Sequence, residues 1–256
     1  KVEKIVLGLG GSATNDGGCG LAAALGVRFL DDLGQSFIPV GGSLEKIRKI
    51  DLSGLHESLA GIRIVAMCDI DNPLYGPEGA AHVFAPQKGA DKEETEVLDA
   101  GLRHLAERFR LDLGSDPAFL PGAGAAGGMG AGVHAFLGAS LERGIEVVLD
   151  TVGFESRAQG ADLVLTGEGK IDRQSLRGKV VAGVARRAAR LGVPVAAIVG
   201  DIGDDLEDFY EAGVSGIFSI NRVAADLDTA KARSREDLYL TVDNLMRFMK
   251  RMKKNE

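Results

Sequence analysis

The chain has 256 residues, 45% of them apolar, which suits one large domain or two smaller ones and carries no disorder signature. Thirty basic against 37 acidic side chains leave a formal charge of −7, which argues against a nucleic-acid-binding surface. No apolar run approaches the ~20 residues that span a bilayer and no signal peptide stands out, so the sequence reads as cytoplasmic.

In chain order, residues 4–9 read as a strand, followed by the small-residue run Gly10-Gly11-Ser12-Ala13-Thr14-Asn15-Asp16-Gly17-Gly18 and a helix from about Gly20 to Leu25. Entering a strand at Ile5-Val6-Leu7 so soon after Lys1 points to a segment upstream that this chain lacks. Residues 27–30 read as a strand, and Asp31-Asp32-Leu33-Gly34 as a hairpin turn. Residues 62–67 form a β-branched strand that runs into Cys68-Asp69-Ile70-Asp71-Asn72-Pro73, where Asn-Pro punctuates. Over 91–109 the spacing of Val97, Leu98, Leu102, Leu105 and Phe109 predicts a helix with these five on one buried face. A second glycine cluster, Pro121 to Gly132, leads to a helix near 134–137.

From residue 160 strands and helices alternate: strands at 163–166, 195–199 and 216–220, helices at 178–191 and 204–212. That pattern predicts an α/β fold with a parallel sheet covered on both faces. A last helix, about 234–253, is expected to turn Leu238, Leu240, Val242, Leu245, Met246 and Met249 inward. The two patterns meet near 150–158. Cys19 and Cys68 read as buried free thiols, suited to a reducing compartment.

The chemistry is expected at the glycine clusters, because glycine lets a backbone approach a ligand closely. Gly8-Leu9-Gly10-Gly11-Ser12-Ala13 matches the dinucleotide fingerprint after a strand, with Asp31 18 residues beyond Ala13. Gly17, Gly18 and Gly20 in the following helix, and the hairpin at 27–34, speak against a nicotinamide site. Gly10, Gly11, Ser12 and Thr14 can still cradle a phosphate or carboxylate, and Asp16 either orients a metal or hydroxyl or caps the next helix. Asp69, Asp71 and Asn72 form an oxygen-rich group at a strand end, suited to Mg²⁺, to accepting a hydroxyl proton, or to a simple turn. Lys88, in Gln87-Lys88-Gly89-Ala90-Asp91, is a phosphate contact or a solvated surface lysine.

The second cluster contains Gly124, Gly127 and Gly128. A loop so rich in glycine has no packing value, which favours a ligand over a connector. The third cluster, Thr166-Gly167-Glu168-Gly169-Lys170-Ile171-Asp172, is expected to follow a strand and precede a helix, where open α/β sheets bind ligands. Gly178-Lys179-Val180 fails the Walker pattern, so a nucleotide site here is not a P-loop. Glu168 and Asp172 offer carboxylates, Gly167 and Gly169 backbone, and Lys179 a phosphate contact. The four histidines (His56, His82, His104 and His134) have no metal-ligand spacing.

These stretches in this order resemble the glycerate kinase family that makes 2-phosphoglycerate. They are Gly8 to Thr14 with Asp16 to Gly18, Cys68 to Leu74, Phe84 to Ala90, Gly124 to Gly130 and Thr166 to Asp172. The resemblance implies a flavodoxin-like doubly wound parallel-sheet domain with a distinct α/β domain inserted into it. Residues 1–155 would be most of the inserted domain and 156–256 the C-terminal part of the doubly wound one. It also implies a further N-terminal segment, ATP and Mg²⁺ as cofactors, and D-glycerate as substrate, with the glycine loops gripping phosphates and the glycerate carboxylate between the domains. On that view Asp69, Asp71, Glu168, Asp172 and Lys88 are catalytic, with Asp71 and Glu168 on the metal. Gly10, Gly11, Ser12, Thr14, Asp16, Asn72, Gly124, Gly127, Gly128, Gly167, Gly169 and Lys179 bind substrate or phosphate. A homodimer is among the expected states, nucleic-acid and membrane partners are not, and the competing readings are an NAD-dependent oxidoreductase and a non-catalytic sugar-acid- or phosphate-binding module.

Overall fold

The computed structural model describes residues 2–172 and 180–252. The chain divides into two units, Lys1–Gly144 and Ile145–Glu256.

The first unit opens with β1 (Lys4–Gly8), α1 (Cys19–Ala24), the hairpin β2 (Arg28–Leu30) and β3 (Ser36–Phe37), β4 (Lys49–Asp51) and β5 (Arg63–Met67). It continues through α2 (Ala80–Phe84), α3 (Lys92–Leu113), α4 (Ala125–Leu137) and β6 (Ser140–Glu142). Among the described residues β1, β5 and β6 form a parallel sheet in the order β1-β5-β6, and β2 pairs antiparallel with β3 and β4. The hairpin is closed by Asp31, whose carboxylate accepts from the backbone N–H groups of Leu33 (2.9 Å) and Gln35 (2.8 Å). Asp31 is therefore a turn residue, and the nicotinamide reading loses its ribose-binding carboxylate.

Helix α3 starts where Asp91 and Glu94 cap each other's backbone N–H (2.8 and 3.0 Å) and stops at Gly114, whose φ of 63° suits glycine. Leu102, Leu105 and Phe109 are buried as the spacing predicts, but Val97 is 51% exposed. Leu98, Leu102, Leu105 and Phe109 share one stripe, and Val97 sits about 100° round from Leu98, outside it. Phe136 of α4 meets Phe29 and Phe109 edge-on at the centre of this core (5.7 and 5.2 Å). Cys19 and Cys68 are buried and free, and burial raises both thiols above the ordinary range, so neither is a ready nucleophile.

The second unit holds α5 (Gly144–Thr151, beginning at the last residue of the first unit), α6 (Phe154–Ala158), β7 (Val164–Ile171), α7 (Val180–Arg190), β8 (Val195–Ile202), α8 (Glu207–Glu211), β9 (Val214–Ser219) and α9 (Leu227–Met252). Its sheet is parallel in the order β7-β8-β9. Val181, Ala185 and Ala188 of α7 pack with Ile171, Val195, Ala197 and Val199. Strand β8 is the continuous apolar run expected of a parallel sheet, whereas on β7 Leu165 remains 44% exposed.

Two expectations change here. β7 runs to Ile171, so the third glycine cluster is strand, paired Gly167↔Ile198 and Glu168↔Val199, and not a loop beyond it. A Cβ on Gly167 would lie 2.5 Å from the Ile198 carbonyl oxygen, and one on Gly200 2.4 Å from that of Gly169, so glycine lets these strands pair closely. In α9, Leu238 and Met246 are exposed (44% and 45%), and the buried side chain is Asp237, paired with Arg233. Leu238, Val242, Leu245 and Met249 share a stripe at i, i+4, i+7, i+11; Leu240 and Met246 lie off it.

Candidate functional site

Strands β1, β5 and β6 run in one direction, so the loops after them leave the same edge of the sheet. The first carries Gly10 to Gly18, the second Asp69, Asp71 and Asn72, the third Arg143 and Gly144. Ligands of parallel sheets bind at such carboxyl ends.

Four of the motifs meet at this edge. Lys88 reaches across to the first loop, its Nζ donating to Ser12 Oγ (3.0 Å) and to the Thr14 carbonyl (2.7 Å). Burial pulls its ammonium below the ordinary lysine range, while the nearby charge of Asp16 pulls the other way. Asp16 spends one carboxylate oxygen on the N–H of Gly18 (3.0 Å) and the other on that of Gly20 (2.9 Å), which is the helix-capping role for α1. Gly10 and Gly11 are exposed with nothing within 4 Å of where a Cβ would stand, so their backbone is open to a ligand.

The second glycine cluster has the packing role that its composition concealed. Ala126, Gly127 and Gly128 take three consecutive left-handed conformations (φ 54°, 69° and 89°) before α4 becomes regular. This turn lays Gly127 against Thr14 and Asn15, where a Cβ would stand 2.0 Å from the Thr14 carbonyl oxygen, and its own carbonyl accepts from Gly17 N–H (3.1 Å). Gly124 meets the loop after β5 in the same way: a Cβ there would stand 2.3 Å from the Pro73 carbonyl oxygen. These glycines lock the first and second loops together through close backbone packing.

The acidic cluster is already engaged. Asp69 accepts from the Gly144 N–H (3.0 Å), Asp71 pairs with Arg143 (3.2 Å), and the Asn72 amide donates to the Glu78 carbonyl (2.8 Å). A cleft of about 800 Å³ lies beside Lys88, with Thr14, Asn15 and Asp16 on one side and Val40, Val97 and Leu98 on another. Asn15, which sequence reasoning passed over, lines it; the one available signal was its position inside the first motif.

In the second unit a cleft of about 940 Å³ is lined by Thr166, Gly167, Glu168 and Gly169 of β7, with Asp201, Asn221 and Lys231. Asp172 lies beyond β7, 3.7 Å from Lys170, and Lys179 lies outside the described residues. Asp201, Asn221 and Lys231 do not stand out in the sequence: each is an isolated polar residue until the fold gathers them. Among the described histidines, His56, His104 and His134 bond to nearby backbone, and no group of three metal-ligating side chains occurs among the described residues.

A profile described as the glycerate kinase family matches residues 1–250. The chain belongs to the glycerate kinase family. It is 47% identical over 243 residues to a glycerate kinase of Bacillus cereus, covering 95% of this chain and 64% of the relative. It is 45% identical over 226 residues to the glycerate 2-kinase of Escherichia coli, covering 88% and 59%. A solved structure described as glycerate kinase 2 from Salmonella typhimurium LT2 superposes with a TM-score of 0.84 at 43% identity, over 99% of this chain and 66% of that one. The chain thus spans less than two thirds of the length of the members of the family it matches, and its mixed α/β architecture with parallel sheets matches that solved structure. No helix among the described residues is long and apolar enough to cross a membrane.

Proposed function

We propose that the protein carrying this chain phosphorylates D-glycerate with ATP, giving 2-phosphoglycerate. The observation that carries the reading is Lys88, a half-buried ammonium aligned by Ser12 and Thr14 beside a cleft, in a chain of this family. Phosphoryl transfer asks a protein for alignment and charge neutralisation more than for covalent chemistry. Lys88 and Ser12 hold the glycerate carboxylate, with the open backbone of Gly10 and Gly11 beside them. Asp69, oriented by Gly144, accepts the proton of the attacking hydroxyl. The β7 segment Gly167–Gly169 receives the nucleotide. Mg²⁺ carried by a triphosphate would need one or two protein carboxylates and not a preformed cage, and Glu168, on the β7 segment proposed for the nucleotide, suits it. When bound, the cation neutralises charge on the transferring phosphoryl group.

On this reading residues 156–256 are the C-terminal part of a flavodoxin-like doubly wound domain and residues 1–155 are most of a domain inserted into it. The free buried thiols fit a cytoplasmic setting. The test is an assay of the full-length gene product with ATP and D-glycerate, with the phosphoglycerate isomer resolved. ADP and 2-phosphoglycerate in equal amounts are expected. Saturable D-glycerate binding without turnover would leave a binding module, and NAD reduction would restore the oxidoreductase.

A further inference from the structure

The amide of Asn15 is shut off from water, and neither its Nδ2 nor its Oδ1 has a hydrogen-bond partner among the described residues. Buried polar groups are paired in the great majority of cases, so a side chain orphaned at both ends calls for a reason. Its surroundings supply one. The residue lies between Thr14, whose carbonyl holds Lys88, and Asp16, which caps α1, and it lines the cleft beside Lys88. Its backbone is clamped from two sides: a Cβ on Gly127 would stand 2.7 Å from the Asn15 Cα, and one on Gly41 would stand 3.0 Å from its carbonyl oxygen. These contacts hold the backbone of the loop, so it is by turning about its own side-chain torsions that the amide reaches the cleft. Packing has left a donor and an acceptor beside the cleft, both unused among the described residues.

We propose that Asn15 is a specificity-determining residue of this site, whose amide takes a hydroxyl group of the bound hydroxy acid. A hydroxyl is both donor and acceptor, so it is the neutral group that can use both ends of one amide. Lys88 supplies the charge that any small carboxylate needs, and Asn15 tells a hydroxylated acid from one without the hydroxyl. A site built to bond a hydroxyl rejects the analogue lacking it, because the protein's polar groups are then left unpaired. The assignment rests on the glycerate kinase reading and adds a residue and a selection rule to it.

The test uses the full-length gene product, with D-glycerate as substrate and D-lactate and 3-hydroxypropanoate, each lacking one hydroxyl, as competitive inhibitors. In the wild type at least one of them binds about tenfold or more weakly than D-glycerate. Asn15→Ala raises the KM for D-glycerate about tenfold and brings that preference close to 1, while Tm stays the same or rises, because the group removed had no partner. Asn15→Ser, which keeps a shorter polar group, gives an intermediate preference and supplies the readout should the alanine variant fail to fold. An unchanged preference in either variant, whatever happens to KM or Tm, overturns the assignment and makes Asn15 structural. A wild type indifferent to D-glycerate is a separate failure, seen before any variant is made, and takes down the kinase reading together with this inference.

Discussion

The glycines of the first unit look alike in sequence and differ in what they do. Gly11 needs its positive φ of 67° but has open space beside it, whereas Gly127 combines a φ of 69° with a neighbouring carbonyl oxygen 2.0 Å from any added Cβ. Gly11→Ala is therefore expected to cost about 1 kcal/mol in denaturant unfolding, the backbone cost alone. Gly127→Ala is expected to cost about 2–4 kcal/mol, since the Thr14 loop must also move. Equal losses would contradict the division between an open cradle and a backbone lock. Composition marked both clusters but could not separate them, because a glycine kept for a ligand and one kept for a neighbouring backbone read the same until the partner strand is in place. Lys88 was legible as a candidate from its polar turn, but its grip on Ser12, 76 residues away, was not.

Local signals set most of the elements correctly. Asp91 with Glu94, followed by leucines at i, i+4 and i+7, specifies α3, and the Asp31–Gly34 turn specifies the β2–β3 hairpin. The misses have a common source in tertiary packing. β7 carries two glycines and still continues as strand to Ile171, because close pairing with β8 outweighs their low strand propensity. Helices α5, α6 and α7 are joined by a feature no window of sequence reveals: Arg187, 8% exposed, pairs with Glu146 (2.8 Å), Asp150 (2.6 Å) and Glu155 (2.9 Å). Arg187→Met should leave three carboxylates crowded round an apolar side chain, with Arg186, 3.9 Å from Glu146, left to offset part of the charge. Their half-exposed positions limit the loss to about 1–3 kcal/mol, below that of a fully buried pair. A chemical-denaturation series at pH 7 checks it, and a variant as stable as the wild type would show that the network is ornamental.

For the molecule as a whole, α/β alternation and ordered motifs gave the family, and the parallel edge of β1, β5 and β6 explains why motifs spread from Gly8 to Gly130 gather at one place. Everything functional turns on whether that edge holds a small anion through Lys88. The most direct measurement is the KM for D-glycerate of the full-length gene product and its Lys88→Met variant, followed across alkaline pH. Removing the ammonium from the site should raise KM roughly 10–100-fold in the variant with Tm little changed. In the wild type KM should begin to climb at a pH below the ordinary lysine range, because burial lowers the pH at which this ammonium loses its proton, and the variant should lack that climb. A Lys88→Met enzyme with wild-type KM, or one that keeps the same alkaline profile, would contradict the account.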